Sequence, residues 1–221
     1  MWHFTSLFAI VISHTVQAAY MGARSTKGGF GIVAGNNAWA RRFMAAAIIQ
    51  GAIIVAFTVF LVLGQISILK PEVSRVIAAG GAGTWFTFGY LSYIVVGVIG
   101  VAVSSAFYHY LAGSFTRAAS VLAWVHLILM NVGTSSAAGM MMYAGYQGGA
   151  AMLPAAIGGR GFDAQQAHSI IAPFVEPIAG SILAILAGVI AGGAGFLIAY
   201  RRARAFVETD ENFRRDETEA A

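Results

Sequence analysis

The residues of this sequence whose types could do chemistry are its five histidines and one carboxylate inside an apolar stretch. His14 and His126 lie well within long apolar runs, and His109 lies near the end of a third. At about 1.5 Å of rise per residue, His14 and His126 fall at comparable depths if each run is a membrane helix. Two imidazoles on facing helices can bind a b-type haem through both axial positions. Hydrogen bonds from each histidine to a neighbouring helix explain the same residues more simply, and we favour that interpretation.

Glu176 is the one carboxylate inside an apolar run, in the segment APFVEPIAG between Pro173 and Pro177. The two prolines leave nearby backbone carbonyls without their helical donors, so polar groups lie close to the carboxyl group of Glu176. A carboxyl group shielded from water favours its protonated form, which suits a proton relay or a contact with a quinol. A helix end from which Glu176 reaches water among the lipid headgroups explains the residue equally well.

Small residues recur every four positions in the last apolar run, at Gly180, Ala184, Gly188 and Gly192. Residues of this size let another helix approach closely and gain van der Waals contacts. The pattern therefore predicts helix packing. The chain contains no cysteine, which excludes disulfides and thiolate metal ligands. We predict neither a catalytic residue nor a metal site.

Helices in a membrane must position these residues. Hydrophobic residues make up 58% of the 221 residues and charged residues 10%, against about 25% charged in a soluble domain. Five apolar runs match the length of roughly 20 residues that a helix needs to cross the hydrocarbon core. The runs are 3–22, 42–68, 84–112, 117–145 and 170–200. The expected fold class is all-α, a polytopic membrane helix bundle with five transmembrane helices.

Positive charge is concentrated in the connections that five helices place on one side of the membrane. Cytoplasmic connections carry an excess of lysine and arginine. The cations on this side include Arg24, Lys27, Arg41, Arg42, Arg117, Arg201, Arg202, Arg204 and Arg214. The other side has Lys70, Arg75 and Arg160. We therefore predict a multi-pass protein of the plasma membrane, with its N-terminus outside and its C-terminus in the cytoplasm.

The chain divides into a five-helix transmembrane domain, residues 1–200, and a charged cytoplasmic tail, residues 201–221. The tail alternates arginine with acidic residues, which is typical of a solvated helical extension, and a docking segment for a soluble partner is the alternative. The first run lacks the basic n-region of a signal peptide, so we expect a retained helix. Nucleic-acid binding requires a broader basic face with interleaved aromatic residues. The expected partners are the lipid bilayer and other integral membrane subunits.

Several segments together resemble the C-terminal five membrane helices of subunit I of the haem–copper oxygen reductases, nearest the B-type. GARSTKGGFG with NNAWARR resembles the loop before the ninth helix of the family, and TWFTFGYLSYIVVGVIGVAVSSAFYHYLAG resembles the tenth helix. AWVHLILMNVG with MMMYAGYQGG resembles the eleventh helix, and AHSIIAPFVEPIAG resembles the start of the twelfth. The resemblance covers nearly the whole chain, through motifs of glycine, aromatic and small apolar residues.

The haem ligands of that family have no counterpart in this sequence. Its His-x-His pair on the tenth helix would fall at Tyr90 and Ser92, and the helices that bear its copper ligands precede the matched region. The resemblance implies a degenerate relative that serves as a non-catalytic integral subunit of a respiratory or other membrane oxidoreductase complex, with no cofactor. Two alternatives remain, namely a b-type haem electron-transfer anchor and a small proton-coupled transporter or channel.

Overall fold

The computed structural model describes residues 37–219, which are helical almost throughout and contain no strand. Two 3-10 turns, Gly81–Gly83 and Ala155–Ile157, lie in the connections. A π-helical segment, Tyr93–Gly100, joins α3 to α4 without a break. The α-helices are α1 (Ala38–Ser67), α2 (Val73–Ala78), α3 (Thr84–Ser92), α4 (Val101–Tyr110), α5 (Arg117–Met152) and α6 (Ala164–Glu219).

Four helical stretches of the described residues are long and apolar enough to cross a membrane. They are Ala38–Ile66, Gly81–Tyr110, Arg117–Met152 and Ala164–Ala205, and they correspond to the second to fifth predicted runs. The predicted run 3–22 lies outside the described residues. Large apolar side chains cover the outer surface of the helices, with Leu63 59% and Ile66 77% exposed. Such a surface suits lipid better than water, and the chain has the architecture of a helical membrane-protein bundle.

The fourth connection is shorter than the sequence predicts. Between the predicted runs 117–145 and 170–200, glycine-rich residues favour a connection from Gln147 to Ser169, but α5 continues to Met152 and α6 begins at Ala164. The prediction is wrong because the glycines at its start serve helix packing instead of chain reversal. A Cβ atom at Gly149 would lie 2.8 Å from the Cα atom of Gly83, so glycine at this position lets α5 approach the turn before α3 closely.

Helix α5 lies at the centre of the described bundle. It packs against α6 on one side and against α3 and the π-helical segment on another, while α1 packs on α4 and the π-helical segment. At the end where α1 and α5 begin, the stacked rings of Phe43 and Tyr108 lie 4.5 Å apart between centroids. The Ser105 hydroxyl donates a hydrogen bond of 2.7 Å to the Ala40 carbonyl. These contacts fix α1 against α4.

The connection after α1 closes the opposite end of the bundle. Glu72 forms ion pairs with Lys70 (3.0 Å) and Arg75 (2.9 Å). Hydrogen bonds from its own backbone amide and then from Lys70 lower the pKa of Glu72. The Tyr146 hydroxyl of α5 donates to the Pro71 carbonyl at 2.9 Å. This connection is therefore held to the bundle and balances much of its own charge.

Candidate functional site

A buried cluster of uncharged polar side chains lies at mid-length of the spans. Gln50 lies near the middle of the span of α1, and Asn131 and Thr134 lie near the middle of that of α5. The Gln50 Nε2 atom donates to Asn131 Oδ1, and Asn131 Nδ2 donates to the Leu127 carbonyl at 2.7 Å. The amide pair therefore joins α1 to α5, whose backbones otherwise touch little.

The π-helical segment supplies the third wall of this cluster. Gly97 is buried there, and a Cβ atom at this position would overlap Oε1 of Gln50 and lie 3.2 Å from Cγ2 of Thr134. The two polar side chains thus share the space that a side chain at position 97 would fill. π-Helical turns are rare and occur frequently at functional sites. The segment brings its glycine next to the amide of Gln50 on α1 and to Thr134 on α5.

Two oxygen atoms of the cluster have no hydrogen-bond partner among the described residues, namely Gln50 Oε1 and Thr134 Oγ1. Both residues are 2% exposed. A buried polar atom left unpaired costs about 1–3 kcal/mol. Each oxygen can accept a hydrogen bond from a small polar molecule or coordinate a small cation. The cluster is therefore the strongest candidate for a polar binding site within the spans.

An apolar cavity of about 260 Å³ lies one helical turn from the cluster, between α1, α3 and α5. Its wall at this end consists of Ile54, Tyr93 and Ser135, and a hydrogen bond joins Tyr93 to Ser135. Most of the remaining wall is aromatic or aliphatic, including Phe57 and Met142. The cavity can accept an apolar group, and the Tyr93–Ser135 pair lines it.

His126 is buried, with 3% of its surface exposed. Its Nδ1 atom lies 3.2 Å from the Tyr108 hydroxyl, and its ring packs against Phe43 at 5.0 Å and Phe196 at 6.0 Å between centroids. A Cβ atom at Gly192 would overlap the imidazole ring. The ring is thus within hydrogen-bond distance of Tyr108 and enclosed by side chains and backbone of three other helices.

The other candidate haem ligands do not join His126 in the described residues. His109 is exposed on α4, one residue from the buried Tyr108, and His14 lies outside the described residues. The His126 surroundings are filled by aromatic rings and by the α6 backbone at Gly192. A haem at His126 would have to displace one of these neighbours, so pairing with His14 or His109 stays a prediction.

Glu176 lies on the exposed surface of α6, about three turns from the start of the helix at Ala164. The helix continues through Pro173 and Pro177 without interruption. The Ser181 hydroxyl donates to the Pro177 carbonyl at 2.9 Å. Glu176 thus faces outward from the described bundle, and the structure does not bring it into the amide cluster.

The predicted stripe of small residues divides into two parts. A Cβ atom at Gly188 would lie 3.0 Å from Cβ of Leu129, and one at Gly192 would meet His126, so both glycines pack against α5. Nothing lies within 4 Å of a Cβ atom at Gly180. A spacing of four residues turns by about 40° more than a full turn at each step. The stripe therefore winds from the exposed edge of α6 into its interface with α5, and Ala184 lies at the transition.

Sequence reasoning overlooked Gln50, Asn131, Thr134 and Gly97. These residues are uncharged and lie inside apolar runs, whereas the candidates predicted from the sequence are histidines and a carboxylate. Amides inside an apolar run are the available signal, because such side chains commonly bond across membrane helices. At Tyr90, where the resemblance would place a haem ligand, the hydroxyl lies 2.8 Å from the Thr58 hydroxyl of α1.

Comparison with family models, with curated proteins and with solved structures gave no match for this chain. Over residues 37–219 the fold and the site define a helical bundle in which four helices are able to cross a membrane and a polar cluster lies at their mid-length. The resemblance to the haem–copper oxygen reductases stays a prediction from the sequence.

Proposed function

We propose that this chain is a non-catalytic integral subunit of a larger membrane complex. In this proposal it crosses the plasma membrane five times, with its N-terminus outside and its C-terminus in the cytoplasm. The four apolar spans of the described residues support the membrane part of the proposal. The concentration of arginine at one end of these spans supports the orientation.

The observation that carries the proposal is that polar side chains of the spans form hydrogen bonds between helices. Gln50 bonds Asn131, and Tyr108 bonds His126, each pair joining different helices. In the interior of the four described spans, Glu176 is the only charged side chain, and it is exposed. Polar groups that hold helices together, without charged side chains collected at one point in the described spans, are what a structural subunit needs.

The expected partners are other integral membrane polypeptides. Helix α6 packs mainly on α5, and its outer surface has apolar side chains beside Gly180, where a second helix could approach closely. That the complex is an oxidoreductase of the respiratory type is proposed on the sequence resemblance alone. No cofactor is proposed for the subunit, and a b-type haem stays the alternative.

Purification in mild detergent with chemical cross-linking tests the proposal. We expect the tagged chain to copurify with other membrane polypeptides, and the Gly180→Leu variant to recover less of them. The matched control is Ala179→Leu, which places the same side chain on the exposed surface of α6 about 100° away. Recovery of the wild-type chain as a stable, lone monomer contradicts the proposal.

The absorption spectrum of the same preparation tests the haem alternative. A non-catalytic subunit is expected to be colourless after separation from its partners. A Soret band that persists in the isolated chain and disappears in His126→Leu would establish the electron-transfer anchor instead. The Tyr108→Phe variant is the control, because it removes the hydrogen bond to His126 and leaves the imidazole in place.

A small channel or transporter is the second candidate function, favoured by the unpaired oxygens of Gln50 and Thr134 at mid-depth. Binding sites of membrane transporters lie near the bilayer midplane. Flux of small cations or neutral solutes into liposomes that contain the purified chain tests this candidate. Flux that Gln50→Leu abolishes would favour transport. Flux no greater than into liposomes without protein would favour the structural subunit.

A further inference from the structure

Arg42 is held between two tryptophan rings at the end of the bundle where α1 and α5 begin. Its guanidinium carbon lies 4.6 Å from the Trp39 ring centroid and 4.9 Å from that of Trp124. The two indole rings meet edge to face at 5.2 Å, and Trp39 Nε1 donates to Ser120 Oγ at 3.4 Å. The rings therefore fix the guanidinium group in place. Its N–H donors point outward in the plane of the group, where they can bind an acceptor.

Two further arginines lie beside this arrangement. Arg41 precedes Arg42 in the first turn of α1 and is exposed. Arg117 begins α5, one turn from Ser120, and is exposed as well. Neither α1 nor α5 has an acidic residue in its first turn, so the positive ends of both helices add to the arginine charge.

No carboxylate neutralises this end among the described side chains. The ion pairs of Glu72 lie at the opposite end, and no described carboxylate pairs with Arg42. The sequence from Met1 to Pro71 has no acidic residue at all. Three arginines on two adjacent helices thus form a cationic surface, here called the arginine–tryptophan site (Trp39, Arg41, Arg42, Arg117, Trp124).

We propose that the arginine–tryptophan site binds the phosphate headgroup of an anionic phospholipid; this inference rests on the membrane-spanning part of the proposed function. The site lies where the apolar spans Ala38–Ile66 and Arg117–Met152 begin, which is the depth of the headgroup layer. A guanidinium group donates paired hydrogen bonds to phosphate oxygens, and basic pockets between membrane helices on the cytoplasmic side bind such headgroups. The tryptophan rings suit the same interfacial layer.

Retention of lipid by the purified chain tests this inference. The chain is exchanged into detergent with phosphatidylglycerol or with phosphatidylcholine, and the bound lipid is counted by native mass spectrometry. We expect preferential retention of phosphatidylglycerol, with affinity about fivefold weaker in Arg42→Gln because one arginine near an anionic layer is lost. Arg42→Lys is expected to bind more weakly than wild type, since lysine keeps the charge but not the planar fork.

Arg160→Gln is the matched control, because this arginine also lies over one aromatic ring, Phe162, at the opposite end of the bundle. It is expected to retain phosphatidylglycerol as wild type does. Equal retention by Arg42→Gln and wild type, or an equal loss in Arg160→Gln, would overturn the inference. If neither lipid is retained by any form of a chain that inserts into liposomes, the lipid site fails, whereas failure of the wild-type chain to insert into liposomes contradicts the membrane-spanning proposal itself. If retention depends on no variant while the chain still inserts into liposomes, the lipid site alone fails.

Discussion

Gly97 sets how closely the π-helical segment approaches Gln50 of α1. A methyl group at position 97 would overlap the Gln50 side chain, and excess volume at such a contact costs about 1–3 kcal/mol. We expect Gly97→Ala to unfold at lower temperature or at lower denaturant than wild type, measured by circular dichroism in detergent. Gly180→Ala, which adds the same methyl group where nothing lies within 4 Å, should leave the stability unchanged or raised. An unaltered midpoint for Gly97→Ala would contradict the close contact.

The hydrogen bond between Gln50 and Asn131 can be measured by a double-mutant cycle. Interhelical side-chain bonds in membranes contribute about 0.6 kcal/mol on average and up to about 1.7 kcal/mol. We expect Gln50→Leu and Asn131→Leu each to change the free energy of unfolding, and the double variant to differ from their sum by an amount in this range. Strictly additive effects would show that the two amides do not interact.

The sequence predicted less of this site than of the spans around it. His126 was conspicuous in the sequence, because histidine is rare within an apolar run. Gln50 and Asn131 were not, since a neutral amide barely changes the hydropathy of a long run. Their proximity depends on the register between α1 and α5, which no local pattern encodes. The same reason explains why Gly97 could not be distinguished from the other glycines.

The interface between α5 and α6 depends on the interior half of the small-residue stripe. At Gly192 an added methyl group would overlap the His126 ring. We therefore expect Gly192→Ala to lower the free energy of unfolding by about 1–3 kcal/mol, whereas Gly193→Ala, which meets nothing within 4 Å, should not. Thermal unfolding followed by tryptophan fluorescence provides the measurement. Equal stability of the two variants would argue that α6 does not pack on His126.

The spans were predictable because hydropathy over some 20 residues depends little on tertiary contacts. The ends of the elements were not, as the region around Gly148 and Gly149 shows. Glycine pairs there suggest a loop, but both residues are buried within α5. The four-residue stripe on α6 was recognised as packing chemistry, yet its rotation leaves Gly180 at the exposed edge. Local composition identifies a helix, whereas its partners decide which positions face inward.

At the scale of the whole molecule, the arrangement across the membrane is the property on which the proposals depend. The chain contains no cysteine, so single cysteines can be introduced without a background. Ser74 on α2 and Ala118 at the start of α5 are both exposed and lie at opposite ends of the bundle. We expect a membrane-impermeant maleimide to label Ser74→Cys in intact cells, and Ala118→Cys only after the membrane is opened. The arginine-rich end would then face the cytoplasm.

The two cysteine positions are informative because each crossing of the membrane moves the chain to the other side. If α1 crosses the membrane once, Ser74 lies on the side opposite to Arg41, and α5 begins on the same side as Arg41 after the return through α3 and α4. Labelling of both cysteines in intact cells would therefore contradict the bundle as a membrane-spanning unit. Labelling of Ala118→Cys alone would reverse the orientation, and it would place the arginine–tryptophan site in the outer leaflet.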